Sequence, residues 1–151
     1  MKRIVFLLLI LTLSACAAQA TPQPTPTISA PFVLKQEENL YAPRSEDLNL
    51  KQDGIILTSA SLSERYDLTP IRPELHVLGS MPSVCSELRI NVNPPDENYR
   101  IFIEIHSLVN PNSKCENVFQ RFEASILLGV YSIGRYTVWV NETLIGDFSM
   151  Y

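Results

Sequence analysis

The sequence predicts an all-β protein, an antiparallel immunoglobulin-like β-sandwich of about seven strands that follows a signal peptide and a flexible linker. From residue 54 onward, apolar and polar residues alternate, which is the pattern of strands that bury one face and expose the other. Turn-forming residues interrupt this pattern roughly every 8–15 residues, and no segment has a convincing helical period. A small β-barrel is the alternative architecture.

Residues 1–15 have the three regions of a secretory signal peptide. Lys2 and Arg3 precede an apolar run over residues 4–13, and small residues follow. The run has about half of the roughly 20 apolar residues that a membrane-spanning helix needs, so we expect no permanent transmembrane anchor. Loss of the leader leaves 10 basic and 16 acidic residues, a net charge of −6. This acidic balance, with no cluster of basic residues, disfavours nucleic-acid binding and electrostatic docking on anionic lipid.

The leader ends in Leu13, Ser14, Ala15 and Cys16. This ending resembles the bacterial lipobox, in which an aliphatic residue and two small residues precede a cysteine. The resemblance implies that the Cys16 thiol receives a diacylglyceryl group and that cleavage precedes it. We therefore expect an exported protein of the bacterial cell envelope, lipid-anchored to a membrane with its domain outside the cytoplasm. A plain secretory leader cut after a small residue is the alternative.

A proline-rich segment follows the lipobox. Proline alternates with polar residues over residues 21–27, which disfavours helix and sheet and favours extended polyproline II. At about 3.1 Å per residue, residues 21–31 would span roughly 34 Å. Residues 32–34 could form a short first strand, but we interpret residues 32–52 as a linker that leads into the domain. The predicted organisation is a lipoprotein signal peptide (1–15), a lipidated N-terminus and linker (16–52), and an immunoglobulin-like β-sandwich domain (53–151).

Seven segments have the alternation or composition of strands. The segment at residues 99–106 is the clearest, with Ile101, Ile103 and Ile105 on one face. Residues 93–98 and 110–113 are turns by composition. The predicted strands lie at residues 55–60, 74–79, 87–92, 99–106, 122–128, 134–141 and 144–150.

Cys85 and Cys115 are the two cysteines that remain if Cys16 carries lipid, so only one intramolecular pairing exists. They flank the predicted hairpin of residues 87–92 and 99–106, whose strands run out and back. Because disulfides persist outside the cytoplasm, we predict a Cys85–Cys115 disulfide. The chain has no Cys-x-x-Cys motif and no nearby set of histidine ligands, which disfavours a metal or redox role.

Several segments around these cysteines resemble uncharacterised immunoglobulin-like domains of other bacterial envelope lipoproteins. The similarity covers about residues 78–150, and its motifs lie at residues 81–85, Cys115, residues 119–122 and residues 134–141. The resemblance implies the fold and no known activity.

Other candidate site residues are few. His76 and His106 could be neighbours across a sheet, but a metal site would need a third ligand such as Glu104. The chain lacks the glycine pattern of a nucleophile elbow. Trp139 and Tyr131 could form an exposed aromatic patch for a sugar or protein, although the core is the expected place for Trp139. The sequence therefore predicts no catalytic residue, metal or cofactor.

The sequence favours a non-enzymatic, lipid-anchored envelope protein that presents a small β-sandwich as a binding or interaction module. Its expected partners are the membrane, through the lipid anchor, and a protein or glycan of unknown identity. The alternatives are a structural accessory subunit of an envelope assembly or, third, a peptidase inhibitor. An exposed apolar patch around Trp139 or Phe102 would favour a protein partner, and a concave pocket with aromatic walls would favour a small ligand.

Overall fold

The structure, a computed structural model, describes residues 39–151 as a β-sandwich, which confirms the predicted all-β fold class. Each of the seven predicted segments contributes to a strand. A short additional strand and one turn of 3₁₀ helix precede them. The elements are η1 (Ser45–Asn49), β1 (Lys51–Asp53), β2 (Ile56–Arg65), β3 (Arg72–Met81), β4 (Glu87–Val92), β5 (Arg100–Val109), β6 (Gln120–Leu127), β7 (Gly134–Val140) and β8 (Thr143–Met150).

One layer is an antiparallel sheet with the order β2-β3-β6. Its central strand, β3, alternates strictly between half-buried and buried residues, so one face meets the other sheet. Gly79 on β3 permits a close approach, because a Cβ atom there would lie 2.6 Å from Cζ of Phe122 and 2.5 Å from the carbonyl oxygen of Ile56. The aromatic ring of β6 therefore lies across the backbone of β3.

The other layer contains five strands. One edge of β5 pairs with β4. The other edge pairs with β7 along the first half of β5 and with β1 along its last residues. β8 extends the sheet by pairing with β7. All pairings are antiparallel except that of β5 with β7, which is parallel. This departs from the expected purely antiparallel arrangement. Its reason is that β6, which connects them in sequence, runs in the other layer and returns the chain to the starting end of β5.

The core lies between the inward faces of the two sheets. Ile101 and Ile103 of β5 and Val138 and Val140 of β7 are almost fully buried, as the alternation predicts. Tyr136 stacks on Phe148 in the same core, with ring centroids 5.2 Å apart. Strands β3, β4 and β6 contribute further buried apolar side chains, which include Leu75, Val77, Leu88, Ile90, Ala124 and Ile126.

Residues 39–50 pack against the sandwich, although they precede the predicted domain start at residue 53. The backbone N–H of Ile90 donates to the carbonyl of Tyr41, and the Asn39 side chain donates to the carbonyl of Ile90. The tyrosine ring also packs against the core. This segment has little regular secondary structure and packs along the outer edge of β4. Isolated contacts of this kind leave no periodic signal in the sequence.

The signal peptide, Cys16, the proline-rich segment and the possible strand at residues 32–34 lie outside the described residues. Within residues 39–151, no helix is long and apolar enough to cross a membrane.

Candidate functional site

Cys85 and Cys115 are joined by a disulfide, with Cα atoms 5.9 Å apart. Cys85 precedes β4 and Cys115 follows β5, and these strands pair with Glu87 opposite Leu108. The hairpin therefore brings the flanking cysteines together, as predicted. In the chain-entropy model, closing a loop of this size contributes roughly 3–4 kcal/mol to stability.

An open depression on the outer face of the five-stranded sheet is the best candidate site. Phe102 of β5 and Trp139 of β7 are paired in register, and their ring centroids lie 6.2 Å apart with an interplanar angle of 33°. Both rings are half-buried. We call this depression, of about 600 Å³, the aromatic groove. It is lined by Phe102, Trp139, Asn93, Glu104, Asn141 and Glu142, with Ile103 beneath them.

The polar end of the groove is held by Asn141. Its side-chain amide donates to the carbonyl of Ile105 and its side-chain oxygen accepts from the N–H of the same residue, at 2.9 and 2.8 Å. Asn141 therefore pairs with β5 as a strand residue would, in the gap between β7 and β1. Asn141 and Glu142 form the two-residue turn from β7 to β8, with φ angles of 43° and 68°. The turn therefore places the backbone of Glu142 at the edge of the groove.

Trp139 does not lie in the core, which corrects the expected placement. Its neighbours Val138 and Val140 are fully buried, so the alternation turns the indole to the outer face. Tyr131 lies elsewhere and packs on Tyr136 and Phe148 at the end of the core, at centroid distances of 5.1 and 5.6 Å. Burial raises the pKa of the Tyr131 hydroxyl. The two residues therefore form no common patch.

The two histidines lie in different sheets, His76 on β3 and His106 on β5, so they are not neighbours within one sheet. Glu104 and His106 are alternate residues of β5, as the sequence indicates. No group of three possible metal ligands occurs among residues 39–151.

His76 instead joins a polar chain on the outer face of the three-stranded sheet. Its Nδ1 lies 2.8 Å from Oγ of Ser125, and its Nε2 lies 3.4 Å from a carboxylate oxygen of Glu123. The residue types are those of a hydrolase triad, but they lie on an open sheet face. The depression beside Glu123 includes Phe122 and not the histidine or serine. The arrangement serves as a cross-strand hydrogen bond between β3 and β6.

A buried arginine connects η1 to the five-stranded sheet. The Arg89 side chain is 4% exposed and binds both carboxylate oxygens of Asp47 at 2.7 Å and one of Glu87 at 2.8 Å. The hydrogen bonds from Arg89 lower the pKa of Asp47 to about 2. No periodic pattern in the sequence predicts this ion pair, because the partners are 42 residues apart.

The aromatic groove was only partly accessible to sequence analysis. Trp139 and Phe102 stood out as possible patch residues and Glu104 as a possible ligand, but Asn93 and Glu142 did not. The alternation around Phe102 places it on the outer face. Its pairing with Trp139 depends on the parallel contact of β5 with β7.

Comparison with known families covers the strands that build both the groove and the disulfide. The family model of the ORF11 beta-sandwich domain matches residues 75–150, half of the chain. The chain belongs to this family. For this ORF11 beta-sandwich domain, the match begins within β3 and includes the aromatic groove, Cys85 and Cys115, while β1 and β2 precede it. No curated protein and no solved structure matches the chain significantly.

Proposed function

We propose that this protein is exported, lipidated at Cys16 and held at the surface of a membrane in the bacterial cell envelope, where its β-sandwich acts as a non-enzymatic binding module. The observation that carries the binding role is the aromatic groove. Phe102 and Trp139 form a concave, half-exposed aromatic surface with polar groups at its edge, which is typical of ligand sites. The ligand is a glycan or a protein.

Two features support export. Residues 1–16 have the pattern of a lipoprotein leader. The disulfide between Cys85 and Cys115 is of the kind that persists in oxidising compartments and is rare in the cytoplasm. Two or more acyl chains on one cysteine would anchor the protein stably, because each buried methylene contributes about 0.8 kcal/mol.

Metabolic labelling with an alkyne fatty acid tests the anchor. The wild-type protein is expected to carry the label and to fractionate with membranes, and Cys16→Ser is expected to lose both properties. Cys85→Ser is the matched control, because it removes a thiol that the proposal does not lipidate. A labelled Cys16→Ser protein, or an unlabelled wild-type protein, would contradict lipidation.

Crosslinking and affinity capture of the intact protein from its own envelope test the binding role. Trp139→Ala is expected to lose partners that the wild-type protein captures. Phe119→Ala is expected to keep them, because Phe119 is an exposed aromatic residue outside the groove. Circular dichroism establishes that both variants are folded. An unchanged set of partners for Trp139→Ala would argue against the groove.

A second candidate function, a structural accessory of a larger assembly, is favoured by the loops at one end of the sandwich. Tyr66 and Ile133 are 71% and 79% exposed there, beside the C-terminal Tyr151. Exposed apolar groups of this size are typical of surfaces that contact another protein. If this function holds, Ile133→Asp removes a co-purifying complex and Trp139→Ala leaves it intact. The reverse result supports the binding module.

A further inference from the structure

We propose that the aromatic groove binds a neutral saccharide chain, with the C–H face of one sugar ring stacked on Trp139. The inference rests on the proposed binding role and adds the chemical class of the ligand. Three features of the groove carry it: the orientation of the rings, the polar groups that lack partners, and the backbone conformation at Glu142.

The aromatic surface is held in place before any ligand arrives. The Trp139 indole N–H donates to Oγ1 of Thr137 at 3.2 Å, two residues earlier on the same strand. The Arg100 guanidinium lies over the Phe102 ring, 5.4 Å from its centroid. The rings thus present a fixed, shallow surface that suits a flat ligand with weakly positive C–H groups.

The polar groups at the edge of the groove can accept hydrogen bonds from a ligand. The carboxylates of Glu104 and Glu142 have no hydrogen-bond or ion-pair partner within residues 39–151. The side-chain oxygen of Asn93 accepts a 3.3 Å bond from Asn91 and keeps a second lone pair. Because carboxylates only accept hydrogen bonds, a ligand that replaces the water around them would supply O–H or N–H groups beside an apolar face. Sugar hydroxyls and ring C–H groups meet both conditions.

Glu142 occupies a position that favours glycine. Its φ of 68° lies in the left-handed region, where the second residue of a two-residue hairpin turn is most often glycine. A glutamate at this position makes the turn less stable and places a carboxylate at the mouth of the groove. Strained residues of this kind are concentrated at binding and active sites.

The charges disfavour an anionic ligand. The carboxylates of Glu104 and Glu142 repel polyanions such as nucleic acids. A cationic peptide is the competing ligand, because the same carboxylates would attract it and the Arg100 guanidinium on Phe102 is already paired with Asp96 at 2.6 Å. Its binding would weaken in high salt, whereas that of a neutral saccharide would not.

Trp139 is the only tryptophan of the chain, so its fluorescence reports on the groove directly. The processed full-length protein in detergent is titrated with neutral hexasaccharides of β-1,4-linked N-acetylglucosamine, β-1,4-linked glucose, α-1,4-linked glucose and β-1,4-linked mannose. Hexalysine is the cationic comparison. We expect a saturable blue shift with at least one saccharide, unchanged in high salt, and none with hexalysine.

Two pairs of variants test the mechanism. Phe102→Ala is expected to weaken binding about tenfold, whereas Phe119→Ala leaves it unchanged. Glu104→Gln keeps an acceptor oxygen and is expected to retain binding of the saccharide within about threefold, whereas a ligand held by its positive charge would lose affinity in this variant. Glu142→Gly is expected to weaken binding while raising the Tm by about 4 °C, since the turn then adopts its preferred conformation.

A folded protein that responds to none of the four saccharides, or whose response is salt-sensitive and specific to hexalysine, overturns the saccharide assignment. The capture experiment separates this failure from failure of the binding role. If envelope partners are lost in Trp139→Ala but no saccharide binds, the groove is a binding site for another class of ligand.

Discussion

Replacing Asp47 with asparagine is expected to lower the free energy of unfolding by about 2 kcal/mol at pH 7. The Asp47 side chain is 13% exposed and forms two 2.7 Å bonds with a guanidinium that is 4% exposed. The variant leaves the Arg89 charge buried with Glu87 as its remaining carboxylate partner among the described residues. The magnitude follows from the pKa of Asp47, which falls from 3.8 to about 2 on folding, at 1.36 kcal/mol for each pH unit.

The same pKa predicts the pH dependence. Because folding lowers the pKa of Asp47, its contribution is fully present above pH 4–5 and is lost as the pH falls towards 2. Urea denaturation of the wild-type protein and Asp47→Asn is therefore compared at pH 7, 3 and 2. The difference in unfolding free energy should shrink to under about 0.5 kcal/mol at pH 2. Taking the difference cancels the titration of the other carboxylates.

Asp67→Asn is the matched control. Asp67 also contacts an arginine, Arg65, at 2.7 Å, but its side chain is 60% exposed. Because solvent screens this pair, Asp67→Asn should destabilise the protein much less than Asp47→Asn does. Two results would refute the buried ion pair as the source of stability. One is a loss of unfolding free energy in Asp47→Asn that is the same at pH 7 and pH 2. The other is a loss no larger than that of Asp67→Asn.

Three further perturbations test the packing. Replacing Cys85 and Cys115 by serine should lower the unfolding free energy by about 2–5 kcal/mol while the β-type circular dichroism remains; two free thiols in protein from an oxidising compartment would contradict the disulfide. Gly79→Ala should destabilise by about 1–3 kcal/mol, because its Cβ would lie 2.6 Å from the Phe122 ring, whereas Gly54→Ala has no atom within 4 Å of its Cβ and should be neutral by thermal denaturation. A chain that begins at residue 51 should unfold at lower urea than one that begins at residue 39, and equal midpoints would show that residues 39–50 add no stability.

The sequence by itself determined which segments form strands and which cysteines pair. Period-two alternation requires only that one face of each strand be buried, so Ile101, Ile103 and Ile105 could be placed without knowing their neighbours. The hairpin of β4 and β5 is local, and its strands return the chain to its starting end. That geometry sufficed to predict the disulfide between Cys85 and Cys115.

Only the tertiary structure decided which strands became neighbours and which side chains met across them. Phe102 and Trp139 share a groove because β6 crosses to the other layer and leaves β7 beside β5 in parallel, a choice that no local pattern encodes. Asp47 binds Arg89 from a segment that belongs to no strand. Such a segment is held by single hydrogen bonds and not by the repeating bonds of a sheet. The alternation of polar and apolar residues predicts only that a side chain points outward. The residue that it contacts there depends on long-range pairing, which the core as a whole selects.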